Sequence, residues 1–114
     1  MSRFVSLSAA LVVALTALFG SSARADEPGV HSIVIKDHKF DPEEVTIPAG
    51  TRVRLQVKNM DATPEEFESK QFKVEKVIAG NSEAAIMVGP LKAGTYIFFG
   101  DFHENTAKGK LIVQ

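Results

Sequence analysis

Three side chains that can bind a metal lie close together near the C-terminus, at Asp101, His103 and Glu104. They stand between an aromatic segment, residues 96–99, and an apolar segment, residues 111–113. Both segments have the composition typical of strands, so the polar residues are predicted to form a loop held by two strands. Functional side chains commonly lie on loops that a rigid scaffold positions. A solvated turn with incidental charges is the alternative.

A second group of candidate ligands lies in the acidic run of residues 64–68, where Glu66 and Glu68 flank Phe67. If this run is extended, both carboxylates lie on one face and the phenyl ring lies on the other. His38, just before a Phe at position 40, is a further candidate. Carboxylates combined with one or two imidazoles suit Cu(II), iron or manganese rather than Cu(I). A solvated acidic loop, and a histidine that only caps a turn, are the alternatives.

The N-terminal residues predict export. Arg3 is followed by a mostly apolar stretch, residues 9–19, and then by Ala-Arg-Ala at residues 23–25. This order is typical of a secretory signal peptide, and the apolar stretch is too short to span a bilayer. We therefore expect residues 1–25 to be removed, which leaves a mature domain of residues 26–114 with no transmembrane segment of its own.

The composition excludes several classes of function. The chain has no cysteine, which rules out thiol catalysis, zinc–thiolate sites and iron–sulfur clusters. Its 13 basic side chains are balanced by 14 acidic ones, and the mature chain without the leader arginines is mildly acidic. Because there is no basic stripe, nucleic acid is not expected as a partner.

Short segments of alternating apolar and polar residues predict an all-β fold. In the clearest of them, Val53, Leu55 and Val57 alternate with charged or amide side chains, which is typical of a half-buried strand. The other predicted strands are residues 30–36, 44–47, 73–78 and 83–88, and the two C-terminal segments. About seven short strands separated by turn signals favour a Greek-key β-sandwich or barrel.

Two stretches are predicted to lie outside the strands. Residues 38–42 read as a break after the first strand, because a Pro follows Asp41. Residues 59–70 read as polar and irregular. Within them, the sequence Thr-Pro-Glu-Glu at residues 63–66 resembles a helix start, so one helical turn is an alternative there.

The arrangement of motifs resembles that of cupredoxins. The opening resemblance lies in FDP at residues 40–42, VTIPAG at 45–50 and VRLQVKN at 53–59, and the closing one in residues 94–109 around His103. The resemblance covers nearly all of the mature chain and implies a cupredoxin-like fold. In such a fold the turn after the first strand, the loop after the third and the loop before the last gather at one end.

The departures from blue-copper cupredoxins decide what kind of metal site to expect. Their cysteine lies three residues before the loop histidine, and that position is Gly100 here. The histidine that usually follows the Asn59 position is replaced by the acidic run, and the axial methionine is also absent. Because a blue-copper centre depends on its thiolate, we expect an iron or copper site that is not type 1 copper.

A narrower resemblance indicates a function. The segments TPEEFES, VEKVIAG, GPLKAGTY and FFGDFHENTAKG are similar to the small periplasmic cupredoxin-like proteins of bacterial iron-uptake systems. This similarity implies a periplasmic protein that handles ferrous iron, with an inner-membrane iron permease and other periplasmic iron-uptake components as its partners. It leaves open whether the protein oxidises iron as a ferroxidase does. A periplasmic copper carrier without a catalytic role and a metal-free interaction domain are the alternatives.

The resemblance also implies which residues form the site. His38, Glu66, Glu68 and His103 are expected to meet at one end of the fold. Glu66, Glu68 and His103 are then expected to bind Fe(II) or a copper ion. His38 and Asp101 are expected to complete or orient the ligand shell, as residues behind metal ligands commonly do.

Overall fold

The computed structural model describes residues 29–114. The predicted signal peptide, residues 1–25, lies outside the described residues. Between residues 29 and 114, no helix is long and apolar enough to cross a membrane.

The described part of the chain consists of short β-strands joined by turns. In order they are β1 (Val30–Lys36), β2 (Lys39–Asp41), β3 (Glu44–Ile47), β4 (Val53–Asn59), β5 (Glu65–Ser69), β6 (Val74–Ile78), β7 (Ser82–Val88), β8 (Gly94–Gly100) and β9 (Lys108–Val113), with a 3₁₀ turn at Asp101–His103 before β9. One sheet has the order β2-β1-β4-β7 and the other has the order β3-β9-β8-β5-β6. The β1–β4 and β3–β9 pairs are parallel. The predicted all-β sandwich is confirmed.

The core lies between the two sheets and follows from the alternation in the sequence. Val53, Leu55 and Val57 all point inward from β4 and are almost completely buried, as their spacing predicts. Phe67 and Phe98 stack in the centre, with ring centroids 4.9 Å apart. Stacked and edge-to-face rings of this kind add to the free energy gained from burial alone. The stacked rings therefore join β5 and β8 within the five-stranded sheet.

The prediction that residues 38–42 break the first strand is correct in that β1 ends at Lys36, but it was wrong for Lys39–Asp41, which form β2. Phe40 belongs to β2, is buried, and packs edge-to-face against both Phe67 and Phe98. The break is confined to a two-residue turn, because Lys36 and Lys39 pair directly across it. The turn signal of Pro42 is also present in the structure, because β2 ends at Asp41 and a bend follows at residues 42–43.

The prediction that residues 59–70 are irregular was wrong for residues 65–69, and its alternative of one helical turn was wrong there too. Residues 65–69 form β5, which pairs with β6 along its length and with β8 near its middle. Phe67 is completely buried, and its ring packs against those of Phe40 and Phe98. The burial of this one ring favours the extended strand over a helical turn. Phe102 lies on the 3₁₀ turn rather than on a strand, and 47% of its surface is exposed.

Candidate metal centre

The β1–β2 hairpin places His38 at one end of the sandwich. Asp37 and His38 form its two-residue turn, and both have positive φ, at 52° and 59°. These angles are those of a type I′ turn, which matches the twist of a hairpin. The carboxylate of Asp61 accepts hydrogen bonds from the N–H groups of Asp37 and His38, at 2.8 and 3.0 Å. The imidazole of His38 is therefore presented by a turn that a neighbouring loop fixes.

The loop between β4 and β5 is organised by two polar side chains. The buried amide of Asn59 donates to the carbonyl oxygens of Thr63 and Ile78, at 2.9 and 3.2 Å, and accepts the N–H of Asp61 at 3.0 Å. Burial by itself raises the pKa of Asp61, but the N–H groups of His38 and Asp37, and electrostatic interaction with the side chains of His38 and His103, hold that pKa below its ordinary value. Asp61 thus stays a charged acceptor beside the hairpin turn.

The pleat of β5 sends its side chains to two different environments. Glu65, Phe67 and Ser69 point inward, while Glu66 and Glu68 point to the outer face of the sheet, where Glu66 is nevertheless only 9% exposed. The sequence predicted that Glu66 and Glu68 share one face if this run is extended. The run is extended, and the two carboxylates do share the face opposite Phe67. The same geometry buries Glu65.

Glu65 is a buried carboxylate whose three hydrogen bonds connect two segments. It is 1% exposed. Its Oε1 accepts the N–H of Glu66 and the N–H of Phe102, both at 3.0 Å. Its Oε2 lies 2.5 Å from Nδ1 of His103. Glu65 therefore fastens the 3₁₀ turn to β5 and holds the imidazole of His103.

Gly100 stands where blue-copper cupredoxins have their cysteine, and the side chains of Glu65 and Ala107 fill the space beside it. A Cβ atom on Gly100 would lie 2.6 Å from Cδ of Glu65 and 2.7 Å from Cβ of Ala107. These separations are shorter than van der Waals contact, so no side chain fits at this position without movement of its neighbours. A thiolate-bound copper centre is therefore excluded by packing as well as by the absence of cysteine.

The two candidate histidines stack on each other. The ring centroids of His38 and His103 are 3.5 Å apart and their planes differ by 14°. Nε2 of His38 lies 3.5 Å from the hydroxyl of Thr63. Because Nδ1 of His103 faces Glu65, Nε2 is the nitrogen of His103 that a metal could use. The pair forms an imidazole face at one end of the sandwich.

Three of the candidate carboxylates meet on the outer face of the five-stranded sheet. Glu66, Glu68 and Asp101 each place an oxygen within 4.8 Å of the other two. Asp101 comes from the 3₁₀ turn, where residues two apart project in different directions. For this reason Asp101 and His103 do not point the same way, as an extended loop would have required.

A fourth carboxylate, Glu75, joins this outer group from β6. It lies directly across from Glu68 in the β5–β6 register. Burial, the side-chain hydrogen bond with Glu75 and the neighbouring negative charges raise the pKa of Glu66. Burial, followed by the charges of Asp101 and Glu75, raises the pKa of Glu68 as well. We call Glu66, Glu68, Asp101 and Glu75 the carboxylate cluster.

The five predicted ligands thus fall into two groups, drawn from the β1–β2 turn, β5 and the 3₁₀ turn. Glu66, Glu68 and Asp101 meet one another, and His38 meets His103. Among residues 29–114, no histidine belongs to a group of three metal-binding side chains within 4.8 Å of one another. Metal binding by these five residues stays a prediction, and the structure assigns the carboxylates and the imidazoles to adjacent places rather than to one ligand shell.

Sequence reasoning missed three residues of this region, namely Glu65, Glu75 and Asp61. The signal for Glu65 was present, because it has the same parity along the strand as Phe67, which was expected to face the core. Glu75 could be found only from the pairing of β5 with β6. Asp61 acts on the β1–β2 turn 24 residues earlier in the chain, and no local pattern predicts such a contact.

The raised pKa values predict how the stability of the metal-free protein changes with pH. Glu66 and Glu68 hold protons more tightly in the folded chain than in the unfolded chain, where their ordinary value is 4.5. The free energy of unfolding should therefore rise as the pH falls from neutral toward that value, because protonation removes charge repulsion from the cluster. Chemical denaturation in the presence of a chelator, at about pH 7 and about pH 5, measures the change.

The matched control for this prediction is the double variant Glu66→Gln, Glu68→Gln, which cannot lose these protons. The rise in its free energy of unfolding from about pH 7 to about pH 5 should be smaller than that of the wild type. Because the histidines and other titrating groups are the same in both proteins, their contributions cancel in the comparison. A wild-type protein whose pH dependence equals that of the variant would contradict the electrostatic description of the cluster.

Comparison with known proteins places the chain in a family. Residues 8–113 match the family model of the cupredoxin-like domain, and the chain belongs to this family. An uncharacterised protein of Rickettsia prowazekii (strain Madrid E) is 48% identical over 82 residues, which are 72% of this chain and 66% of that protein. The match thus spans just under two thirds of the relative's length.

Solved structures with the same fold include two copper proteins. Auracyanin A, a "blue" copper protein from Chloroflexus aurantiacus, aligns with a TM-score of 0.65 and 20% identity over 75% of this chain and 98% of its own. Amicyanin from Paracoccus versutus aligns with a TM-score of 0.60 and 25% identity over 79% of this chain and 87% of its own. The fold is thus that of blue-copper proteins, and this chain has it without their cysteine.

Proposed function

We propose that this protein is a periplasmic metal-binding member of the cupredoxin-like family that serves ferrous iron uptake. In this proposal Glu66, Glu68 and Asp101 bind Fe(II) on the outer face of the sheet. The observation that carries the proposal is the convergence of their oxygens within 4.8 Å, from a strand and a 3₁₀ turn that are far apart in sequence.

The chemistry of the donors fits a hard or borderline divalent cation. Carboxylate oxygens suit such ions better than Cu(I) or other thiolate-bound metals. The carboxylates also repel one another, which raises the pKa of Glu66 and Glu68, and a bound cation would relieve that repulsion. Among hard cations, the choice of ferrous iron rests on the similarity of TPEEFES and FFGDFHENTAKG to iron-uptake proteins.

Localisation and partners are part of the same proposal. The predicted signal peptide directs the chain across the inner membrane, and the mature domain then works in the periplasm. There it passes iron to an inner-membrane iron permease together with other periplasmic iron-uptake components. The support for these partners is the sequence resemblance, and the exposed position of Asp101 on the sheet surface is compatible with transfer of an ion.

The histidine pair favours a second candidate function, that of a periplasmic copper carrier. His38 and His103 lie with their rings 3.5 Å apart at one end of the sandwich. Cu(II) binds imidazole strongly and leads the divalent ions in intrinsic affinity. With Gly100 and Glu65 in the place of a thiolate, Cu(II) bound here would lack the intense band near about 600 nm that thiolate coordination produces.

Anaerobic calorimetric titration with Fe(II) tests the proposal. The mature protein should bind Fe(II) stoichiometrically. The variant Asp101→Asn should bind it at least about tenfold more weakly, which corresponds to a loss of roughly 1.4 kcal/mol of binding free energy. The variant Asp41→Asn, which changes an exposed carboxylate on β2 in the other sheet, is the matched control and should bind as the wild type does. Admitting air or Cu(II) to the loaded protein and assaying the remaining Fe(II) then shows whether iron is oxidised.

The same titration separates the alternatives. Stoichiometric Cu(II) binding that is lost in His103→Ala, without any Fe(II) binding, would favour the copper carrier over the iron-binding protein. A mature protein that binds neither ion would contradict both and leave the metal-free interaction domain. Either result would overturn the proposed role in iron uptake.

A further inference from the structure

Glu65 combines burial, charge and contact in a way that neither the fold nor the proposed ligands explain. Its carboxylate joins β5 to the 3₁₀ turn, since it bonds to the N–H of Glu66 on the strand and to the N–H of Phe102 and the imidazole of His103 on the turn. It contributes no oxygen to the carboxylate cluster. A buried carboxylate is costly unless hydrogen bonds compensate for lost hydration, so the role of these hydrogen bonds is the question that Glu65 raises.

The first oxygen of Glu65 docks the 3₁₀ turn. Oε1 accepts the N–H of Glu66 and the N–H of Phe102 at 3.0 Å each. Phe102 directly follows Asp101, which belongs to the carboxylate cluster, and Glu66 is itself a member of that cluster. Oε1 therefore links the backbone next to Asp101 to the backbone of Glu66. The short distance between Asp101 and Glu66 is opposed by charge repulsion, and the bonds to Oε1 hold the turn in place against it.

The second oxygen of Glu65 orients His103. An ionised carboxylate can only accept hydrogen bonds, so the bond between Oε2 and Nδ1 of His103 requires Nδ1 to carry the proton. The neutral imidazole then has its free lone pair on Nε2. A histidine whose other nitrogen donates to a carboxylate is the arrangement commonly found behind metal-binding imidazoles.

We propose that Glu65 is the positioning residue of both groups, with one oxygen for each. Oε1 keeps Asp101 against Glu66 and Glu68, and Oε2 fixes the tautomer of His103 so that Nε2 faces outward as a ligand atom. The inference rests on the proposed function for the carboxylates and on the second candidate function, copper binding, for the histidines. Gly100 is part of the same device, because any Cβ there would collide with the Glu65 carboxyl group.

The variant Glu65→Gln separates the two roles. The two backbone N–H groups still require an acceptor, so the amide oxygen takes the place of Oε1 and the amide NH₂ then faces His103. Nδ1 must become the acceptor, and the proton moves to Nε2. Glu65→Ala removes both roles at once. Ser69→Ala, another inward-facing polar residue of β5 that bonds to Ile97, is the control for damage to the strand.

Two measurements read out the two roles. ¹⁵N NMR of the metal-free protein should show the Nδ1–H tautomer of His103 in the wild type and Ser69→Ala, and the Nε2–H tautomer in Glu65→Gln. Titration with Mn(II) alone should show affinity within about threefold of the wild type for Glu65→Gln, and at least about tenfold weaker for Glu65→Ala. Titration with Cu(II) alone should show at least about tenfold weaker binding for both variants.

The outcomes distinguish this inference from the proposed function. If the wild type binds Mn(II) and Cu(II) and both Glu65 variants match it, the role of Glu65 is overturned while the proposed function stands. If Glu65→Gln retains the Nδ1–H tautomer, the role of Oε2 is overturned whatever the metal affinity, and this holds even where Glu65→Ala fails to fold. If the wild type binds neither ion, the proposed function and the role of Glu65 toward metals both fail.

Discussion

Glu66→Gln combined with Glu68→Gln is expected to weaken Fe(II) binding by at least about a hundredfold, which corresponds to roughly 2.7 kcal/mol. The substitutions keep the size of the side chains and remove two of the three charged oxygen donors that lie within 4.8 Å of one another. A neutral amide oxygen is a poorer ligand for a hard divalent cation than a carboxylate. Anaerobic calorimetry with Fe(II), repeated with Mn(II) to exclude oxidation, measures the change.

The metal-free form of this double variant should be at least as stable as the wild type. Glu68 and Glu75 lie directly opposite each other on neighbouring strands, and like charges in that position are destabilising. Loss of metal affinity together with equal or higher stability would show that the carboxylates are kept for binding. The matched control Glu44→Gln changes an exposed carboxylate on β3, at the opposite edge of the same sheet. Unchanged affinity in the double variant would return the cluster to an ordinary solvated acidic face.

Gly100→Ala is expected to lower the free energy of unfolding by about 2–3 kcal/mol, at the upper end of the usual cost of overpacking. The backbone of Gly100 is extended, with φ of −94°, so the cost is steric rather than conformational. The added methyl group would lie 2.6 Å from Cδ of Glu65 and 2.7 Å from Cβ of Ala107. Relief of the first contact requires the Glu65 carboxylate to move away from its three hydrogen-bond partners.

Urea denaturation of four proteins tests this explanation as a double-mutant cycle. The four are the wild type, Gly100→Ala, Glu65→Ala and the combination of the two. The methyl group should cost less in the Glu65→Ala background, because one of its two collisions is gone. An equal cost in both backgrounds would show that Glu65 does not limit the space at Gly100. A cysteine introduced at this position meets the same two neighbours, so Gly100→Cys should not create a blue-copper centre.

Much of the fold could be predicted because its signals are local. The alternation of Val53, Leu55 and Val57 and the turn signals between strands are properties of neighbouring residues, and they fix strand faces and count approximately. β2 and β5 were missed as definite strands because each depends on one buried ring, Phe40 or Phe67. Whether such a ring is buried depends on the opposite sheet, which the local sequence does not contain.

The candidate site shows the same division. The parity of Glu66 and Glu68 was sufficient to place both on one face, and the absence of a side chain at Gly100 was sufficient to exclude a blue-copper centre. The separation of Asp101 from His103 was not predictable, because it depends on a 3₁₀ turn whose docking partner is Glu65. The contacts of Glu65 join residues 37 and 38 positions apart, so they follow from the sheet pairing and not from spacing along the chain.

Crystals of the mature protein grown with Fe(II) in the absence of oxygen provide the most direct measurement of where metal binds. An anomalous difference map recorded at the iron absorption edge should show a peak between the carboxylate oxygens of Glu66, Glu68 and Asp101, on the outer face of the five-stranded sheet. A peak only at the imidazoles of His38 and His103, or no peak at either place with the protein intact, would contradict the proposal that the carboxylates bind ferrous iron.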